Sequence, residues 1–355
     1  MRILGGAWLI TTPYWFLATL AFDLLGFIHK RRPFWPEIVR HNYATAKRIA
    51  CTGVILFVAA LLAKGYHNYA SPVTTTATIQ FARHTTTTTA PTSFTATAAT
   101  AAATTTSSSA SATVSTTAAP TSSSAGSPKT LRVAVAADFH MGEIIGRGRV
   151  AQFVEKINAL GADIILLPGD LVDAALAPVV AERCDEELRK LKAPLGVYAV
   201  LGNHDRDGGV TAFLTSAGIR VLRDEAVLVN GEFWLVGRVD RSGRGMVGEE
   251  SRKAILEILP RTRSAGKPVI VLDHQPAKKS LAEAEAAGVD LLLSGHTHAG
   301  QTWPVTWLVR WIFKVSHGLG NSGATQVFVT SGLGLWGFPA RIGSRAEVVE
   351  LRIIF

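Results

Sequence analysis

Hydrophobic positions divide this chain into three regimes. Residues 7–28 (AWLITTPYWFLATLAFDLLGFI) form an apolar run, interrupted by Pro13 and Asp23, of about the ~20 residues a helix needs to cross a bilayer. A second run, 49–63, is bracketed by Lys47, Arg48 and Lys64, whose long stems can snorkel and lengthen it. The pattern predicts a membrane anchor over 1–70, with two transmembrane helices at about 7–28 and 48–64. A cleavable signal fits less well, because no strongly basic stretch precedes the first run and no small-x-small site follows it closely. Over 71–130 large apolar residues nearly vanish and Thr, Ser, Ala and Pro dominate. Such a segment cannot bury enough surface to offset its chain entropy, which predicts a disordered linker. Its composition suits an O-glycosylated stalk and a plain spacer equally.

From Leu131 onward short, nearly continuous apolar runs alternate with helix-like segments. Residues 131–137, 163–169, 197–202, 268–274 and 289–295 read as buried strands, and 147–160 and 179–192 carry helical periodicity. This alternation predicts an α/β domain over 131–355.

The formal charge of +9 changes the picture only through its location. Residues 1–70 and 71–130 carry +6 and +2, leaving +1 for 131–355, so no nucleic-acid partner is expected. Lys30, Arg31, Arg32, Arg40, Lys47 and Arg48 lie between the two apolar runs, opposed only by Glu37. Short basic loops stay cytoplasmic, which would place the catalytic part outside the cytoplasm, at the cell membrane. Cys51 and Cys184 are too few and too far apart for a disulfide framework or a cysteine–zinc site.

Chemistry collects where the strands end. The five runs are followed by Asp138-Phe139-His140, Gly169-Asp170 with Asp173, Gly202-Asn203-His204, Asp273-His274 and Gly295-His296-Thr297-His298. Five of the six histidines in 131–355 lie in these blocks, with only His317 outside. The C-terminal ends of strands are the usual place for an α/β active site. Carboxylates and imidazoles suit divalent Mn, Fe or Zn, and one carboxylate can bridge two such ions. Asp163 and His317 read as structural, and Asp205 as a loop or helix-start residue.

The order DxH, GD, GNH, H, GHxH resembles the calcineurin-like metallophosphoesterase superfamily across essentially all of 131–355. HQP (274–276), SGHTHAGQTWP (294–304) and SGLGLWGFPARIG (331–343) are similar to its membrane-anchored bacterial branch. The resemblance implies a four-layer αββα sandwich holding two divalent metal ions. Asp138, His140 and His298 would hold the first metal and Asn203, His274 and His296 the second, with Asp170 bridging. It further implies His204 as general acid or transition-state stabiliser, oriented by Asp173. A hydroxide held between the metals would attack phosphorus in line. Where phosphoprotein phosphatases carry an arginine after the GDxxD block, this chain has Ala174-Ala175; Arg341 is the candidate to contact substrate phosphate instead.

Trp303, Trp307 and Trp311 follow at i, i+4 and i+8, with Arg310 and Lys314 among them. That spacing predicts an interfacial segment dipping toward the bilayer, against the alternative of a core or dimer-contact helix. The expected function is a membrane-anchored phosphoesterase whose partners are a phosphate-ester substrate, phosphodiester or lipid-linked, and the bilayer. A phosphomonoesterase acting on nucleotides or other soluble phosphates, or a silent metal-bound scaffold, are the alternatives.

Overall fold

A computed structural model describes residues 2–81, 129–206, 208–240, 252–260 and 266–355. Most of the expected linker, 82–128, lies outside the described residues. The chain opens with helices α1 (Arg2–Arg31), α2 (Glu37–His41) and α3 (Tyr43–Ala70). Both α1 and α3 are long and apolar enough to cross a membrane, and each extends beyond the apolar run that predicts it.

Among the described residues, twelve strands form two six-stranded sheets. The first holds β1 (Val73–Gln80), β2 (Thr130–Val135), β3 (Ile164–Pro168), β4 (Val197–Val200), β5 (Arg220–Val221) and β12 (Glu347–Ile354), in the order β1-β12-β2-β3-β4-β5. The second holds β6 (Glu225–Val229), β7 (Phe233–Gly237), β8 (Val269–Leu272), β9 (Leu291–Ser294), β10 (Gly318–Ser322) and β11 (Thr325–Val329), in the order β10-β11-β9-β8-β7-β6.

Alternation along the strands builds the layers. In the first sheet, Val133, Val135, Ile164 and Leu166 face Leu235, Ile270, Leu272 and Leu293 of the second, forming a core between the sheets. The intervening positions Ala134, Ile165 and Leu167 point the other way. They pack on α4 (Arg147–Asn158), α5 (Ala177–Ala181), α6 (Cys184–Leu188) and α7 (Val210–Ser216). On the far face of the second sheet, Val236, Val271 and Leu292 meet α8 (Ile255–Ile258) and α9 (Lys278–Ala286). The result is the expected αββα sandwich; each fully buried Leu, Ile or Val adds about 1.5–3 kcal/mol of transfer free energy. The helix α10 (Val305–Ile312) buries only Thr306.

Two expectations need correction. The segment 179–192 is not one helix, because Arg183 adopts a left-handed φ of 55° and separates α5 from α6. The linker does not begin at 71: β1 lies inside that range and pairs in parallel with β12, from Val73↔Glu347 to Gln80↔Ile354. Its Thr-rich sequence is β-branched, which suits a strand once β12 offers an edge, and Ile79 and Phe81 are buried in the inter-sheet core.

The helical pair α1/α3 packs directly on the sandwich. Tyr14, Val58, Ala340 and Ile342 are buried together, and the Tyr14 hydroxyl donates to the Trp303 carbonyl at 2.7 Å.

Candidate active site

All five strand-end blocks converge at one edge of the sandwich. Asp138, His140, Asp170, His296 and His298 all take left-handed φ, between 48° and 70°. A non-glycine residue held this way costs about 1–3 kcal/mol, strain that the surrounding packing must offset. It turns each side chain out of its strand line and toward the others. Glycine is required where loops pass behind them: a Cβ on Gly202 would sit 2.2 Å from Asp170 Oδ1, and one on Gly295 2.5 Å from Asp138 Oδ2.

Two clusters result. In one, His140 Nε2 and His298 Nε2 lie 3.1 Å apart, with Asp138 Oδ1 3.7 Å from His298 Nε2. In the other, Asn203 Oδ1 lies 3.1 Å from His274 Nε2 and 2.8 Å from His296 Nδ1. Asp170 Oδ2 stands between them, 3.1 Å from His274 Nε2 and 3.7 Å from His140 Nε2. Ligand atoms about 2.1 Å from a shared ion lie about 3 Å from one another, so this spacing suits divalent cations.

The polarity of the set supports the same fit. His274 Nδ1 meets the Pro168 carbonyl at 2.8 Å, which assigns its proton there and turns the lone pair of Nε2 toward Asn203 and Asp170 oxygens. Lone pairs facing one another call for a metal cation or a proton on Nε2 among them, and although burial opposes that proton, the Asp170 charge raises the His274 pKa well above the ordinary imidazole range. Asp138 Oδ2 and His140 Nδ1 are buried without a hydrogen-bond partner among the described residues. Burial pushes His296 down to about 3, helped by the His274 charge, and holds His298 well below the ordinary imidazole range. Neutral imidazoles are the form that binds metal.

His204 lies beside this centre, its ring edge-on to His140 at 4.8 Å. Its Nδ1 is 3.0 Å from Asp173 Oδ1, and its amide donates to Asp170 Oδ1 at 2.8 Å. The Asp173 contact raises the His204 pKa against the opposing effect of burial, while His140 and His204 hold Asp173 well below the usual carboxylate range. Nε2 of a histidine held in this way is available to give a proton to a leaving oxygen. The cleft in front measures about 210 Å³, walled by Val305 and Val309 of α10 and by Trp336.

The profile of the calcineurin-like phosphoesterase family matches residues 131–300. A metallophosphoesterase of Aquifex aeolicus is 34% identical over 228 residues, covering 63% of this chain and 85% of its own length. The chain belongs to the calcineurin-like metallophosphoesterase family. An uncharacterized metallophosphoesterase of Helicobacter pylori strain J99 is 35% identical over 233 residues, or 64% of this chain, which spans only 60% of that relative. A Danio rerio transmembrane protein with metallophosphoesterase domain is 33% identical over 62% of this chain and 52% of its own.

Within this metallophosphoesterase, Asp138, His140, Asp170, Asn203, His274, His296 and His298 are brought together, with His204 and Asp173 alongside. Arg341 is not at the open face. It is fully buried, and its guanidinium donates to the carbonyls of Gly332, Gly334 and Arg345, with Nη2 3.2 Å from His298 Nδ1. The glycine-rich tail wraps around it, so the expected substrate-phosphate contact gives way to a supporting position behind the site. Asp273 also turns away from these residues, to Arg252. His317 and Asp163 are structural, bonded to Glu347 and to the Arg132 amide.

Asp205 is the residue that sequence reading undervalued. It is fully buried, and its carboxylate accepts the amides of Leu171 and Val172 after Asp170 and of Gly202 before Asn203. The one available signal was an acidic residue directly after a ligand block. Gln301 is similar: it exchanges two hydrogen bonds with the Trp336 backbone, locking the tail to the GHTH loop.

Proposed function

We propose that this chain is a membrane-tethered, dimetal phosphoesterase that hydrolyses phosphodiester or lipid-linked phosphate esters at the bilayer surface. The observation that carries the membrane-surface reading is the position of α10. Val305 and Val309 wall the cleft, while Trp307 and Trp311 on the same helix are 77% and 82% exposed. Trp303 stacks on Tyr14 of α1 at 6.4 Å, so the cleft wall adjoins the apolar helical pair. Indole rings left bare beside a span suit the bilayer interface.

Asp138, His140 and His298 would hold one ion, and Asn203, His274 and His296 a second, with Asp170 between. Bound there, divalent cations supply a water of lowered pKa and neutralise charge on the phosphoryl oxygens. The chain's own residues complete the reaction. His204 gives its proton to the departing oxygen, Asp173 fixes the ring's tautomer, and the hydrogen bond from the His204 amide holds Asp170 in place. The basic stretch between α1 and α3 supports a catalytic domain facing away from the cytoplasm, with 1–70 as anchor and the sandwich as catalytic unit.

The test uses the full chain in mixed micelles, stripped of metal and resupplied with Mn. Turnover of a chromogenic phosphodiester, a monoester and a phospholipid is compared with that of Asp170→Asn, His204→Ala and Asp173→Asn. The expected result is Mn-dependent turnover, abolished in Asp170→Asn and reduced about 10²–10⁴-fold in His204→Ala. Preference for soluble monoesters would favour a nucleotide-type phosphomonoesterase. A folded, Mn-loaded protein without turnover would favour a scaffold.

A further inference from the structure

A cavity of about 530 Å³ lies outside the catalytic cleft, where α3, α10 and the tail segment 343–347 meet. Lys64, Arg310 and Arg345 line it, each from a different one of these elements. Among the described residues none of the three has a carboxylate partner; Arg345 donates only to the Ser71 carbonyl, at 3.2 Å. Asn68 and Ser316 add polar groups to the wall. The single carboxylate present, Glu347, is buried and already accepts from Thr75, Thr330, the Ser331 amide and His317. It is therefore not free to neutralise the three cations.

The depth of the cavity narrows the ligand. Lys64 is the first charge after the uncharged stretch 49–63 of α3, and the next residue, Gly65, packs against Ile342 of the tail. If α3 crosses the membrane, as the proposed function requires, this is the level where the hydrocarbon ends and phosphate headgroups lie. Trp307 and Trp311, exposed on the helix that carries Arg310, belong at the same level.

We propose that Lys64, Arg310 and Arg345 form a binding site for a phosphate-bearing anion, supplied by an anionic phospholipid headgroup, that clamps the catalytic domain to its anchor. The site is separate from the metal centre: no metal-ligand candidate lines it, and none of its three cations is among the catalytic residues. The non-ester oxygens of a phosphate accept charge-assisted hydrogen bonds from lysine and arginine alike, which suits three cationic donors around one cavity.

The test titrates fluorescent phosphatidylglycerol into the Mn-loaded full chain in nonionic micelles, beside the Lys64→Gln/Arg310→Gln double variant. Wild type is expected to bind one phosphatidylglycerol per chain, with phosphatidylcholine unable to compete and the double variant at least tenfold weaker. Equal affinity in wild type and variant overturns the proposal. Inorganic phosphate distinguishes the sources: failure to compete supports the lipid, whereas full competition keeps the site and assigns it to a soluble anion. Unchanged turnover of a chromogenic phosphoester by the variant shows that it is folded. Flotation of the full chain with phosphatidylcholine vesicles tests the membrane reading separately; a chain that stays unbound removes the lipid source and leaves the phosphate arm to decide the site.

Discussion

The amide of Arg341 donates to the carbonyl of Gly65 at 2.9 Å, joining helix α3 to the residue that backs His298, a proposed metal ligand. Asn68 reinforces the contact by donating to the Arg341 carbonyl at 3.0 Å. Close approach is possible only because position 65 lacks a side chain, since a Cβ there would lie 2.8 Å from Ile342 Cγ1. Gly65→Leu should push the tail away and loosen the support of His298. Partners that orient ligands are typically worth 10–100-fold in metal affinity, so we expect Mn binding about tenfold weaker by calorimetry. Unchanged affinity would make the anchor a passive tether.

Asp205 should matter as much as a ligand without being one. Burial and the neighbouring Asp170 charge push its pKa up to about 6, against three amides that favour the carboxylate. Asp205→Ala orphans those amides at about 1–3 kcal/mol each, an upper limit if water enters. The expected outcome is a lower thermal midpoint together with loss of Mn-dependent turnover, because the amides belong to the loops carrying Asp170 and Asn203. Retained turnover at full stability would contradict this positioning role.

The strand β1 ties the chain before the undescribed segment into the catalytic fold. Ile79 is fully buried, and Ile79→Ala should cost about 2–5 kcal/mol in denaturant unfolding. A fragment starting at 131 lacks Ile79, Phe81 and the β1 pairing along all of β12, so it should unfold at lower denaturant than the full chain.

Acid stability should depend on Glu347. Burial alone would raise its pKa, but the His317 hydrogen bond and charge, with the Ser331 amide and Thr75, bring it to about 2 from an ordinary 4.5. A depressed folded-state value means that the carboxylate stabilises the fold fully above about pH 4.5. That contribution, about 3 kcal/mol at most, disappears as pH falls from 4.5 toward 2. Glu347→Gln should lower stability at neutral pH and flatten the loss between pH 5 and 2, as read from unfolding curves at each pH. Parallel curves for the two proteins would rule the effect out.

Much of this protein is local in its sequence. Apolar runs ending in Asp138, Asp170, Asn203, His274 and His296 mark strands and candidate ligands together, because a buried strand needs continuous apolar residues and functional groups cluster at its end. The two long apolar helices α1 and α3 are equally legible, since crossing length is a property of a single segment. Other features depend on partners distant in the chain. Residues 73–80 become a strand because β12, more than 260 residues later, offers a free edge; alone, their Thr-rich composition reads as linker. Arg341 reads as a phosphate ligand in one dimension, yet the tail folds over it and turns its guanidinium to the carbonyls of Gly332, Gly334 and Arg345. Asp205 gains its role only when two loops, each offering amides, meet around its buried carboxylate. Periodicity records what a segment can bury, whereas which groups satisfy one another is set by where the folded chain brings them.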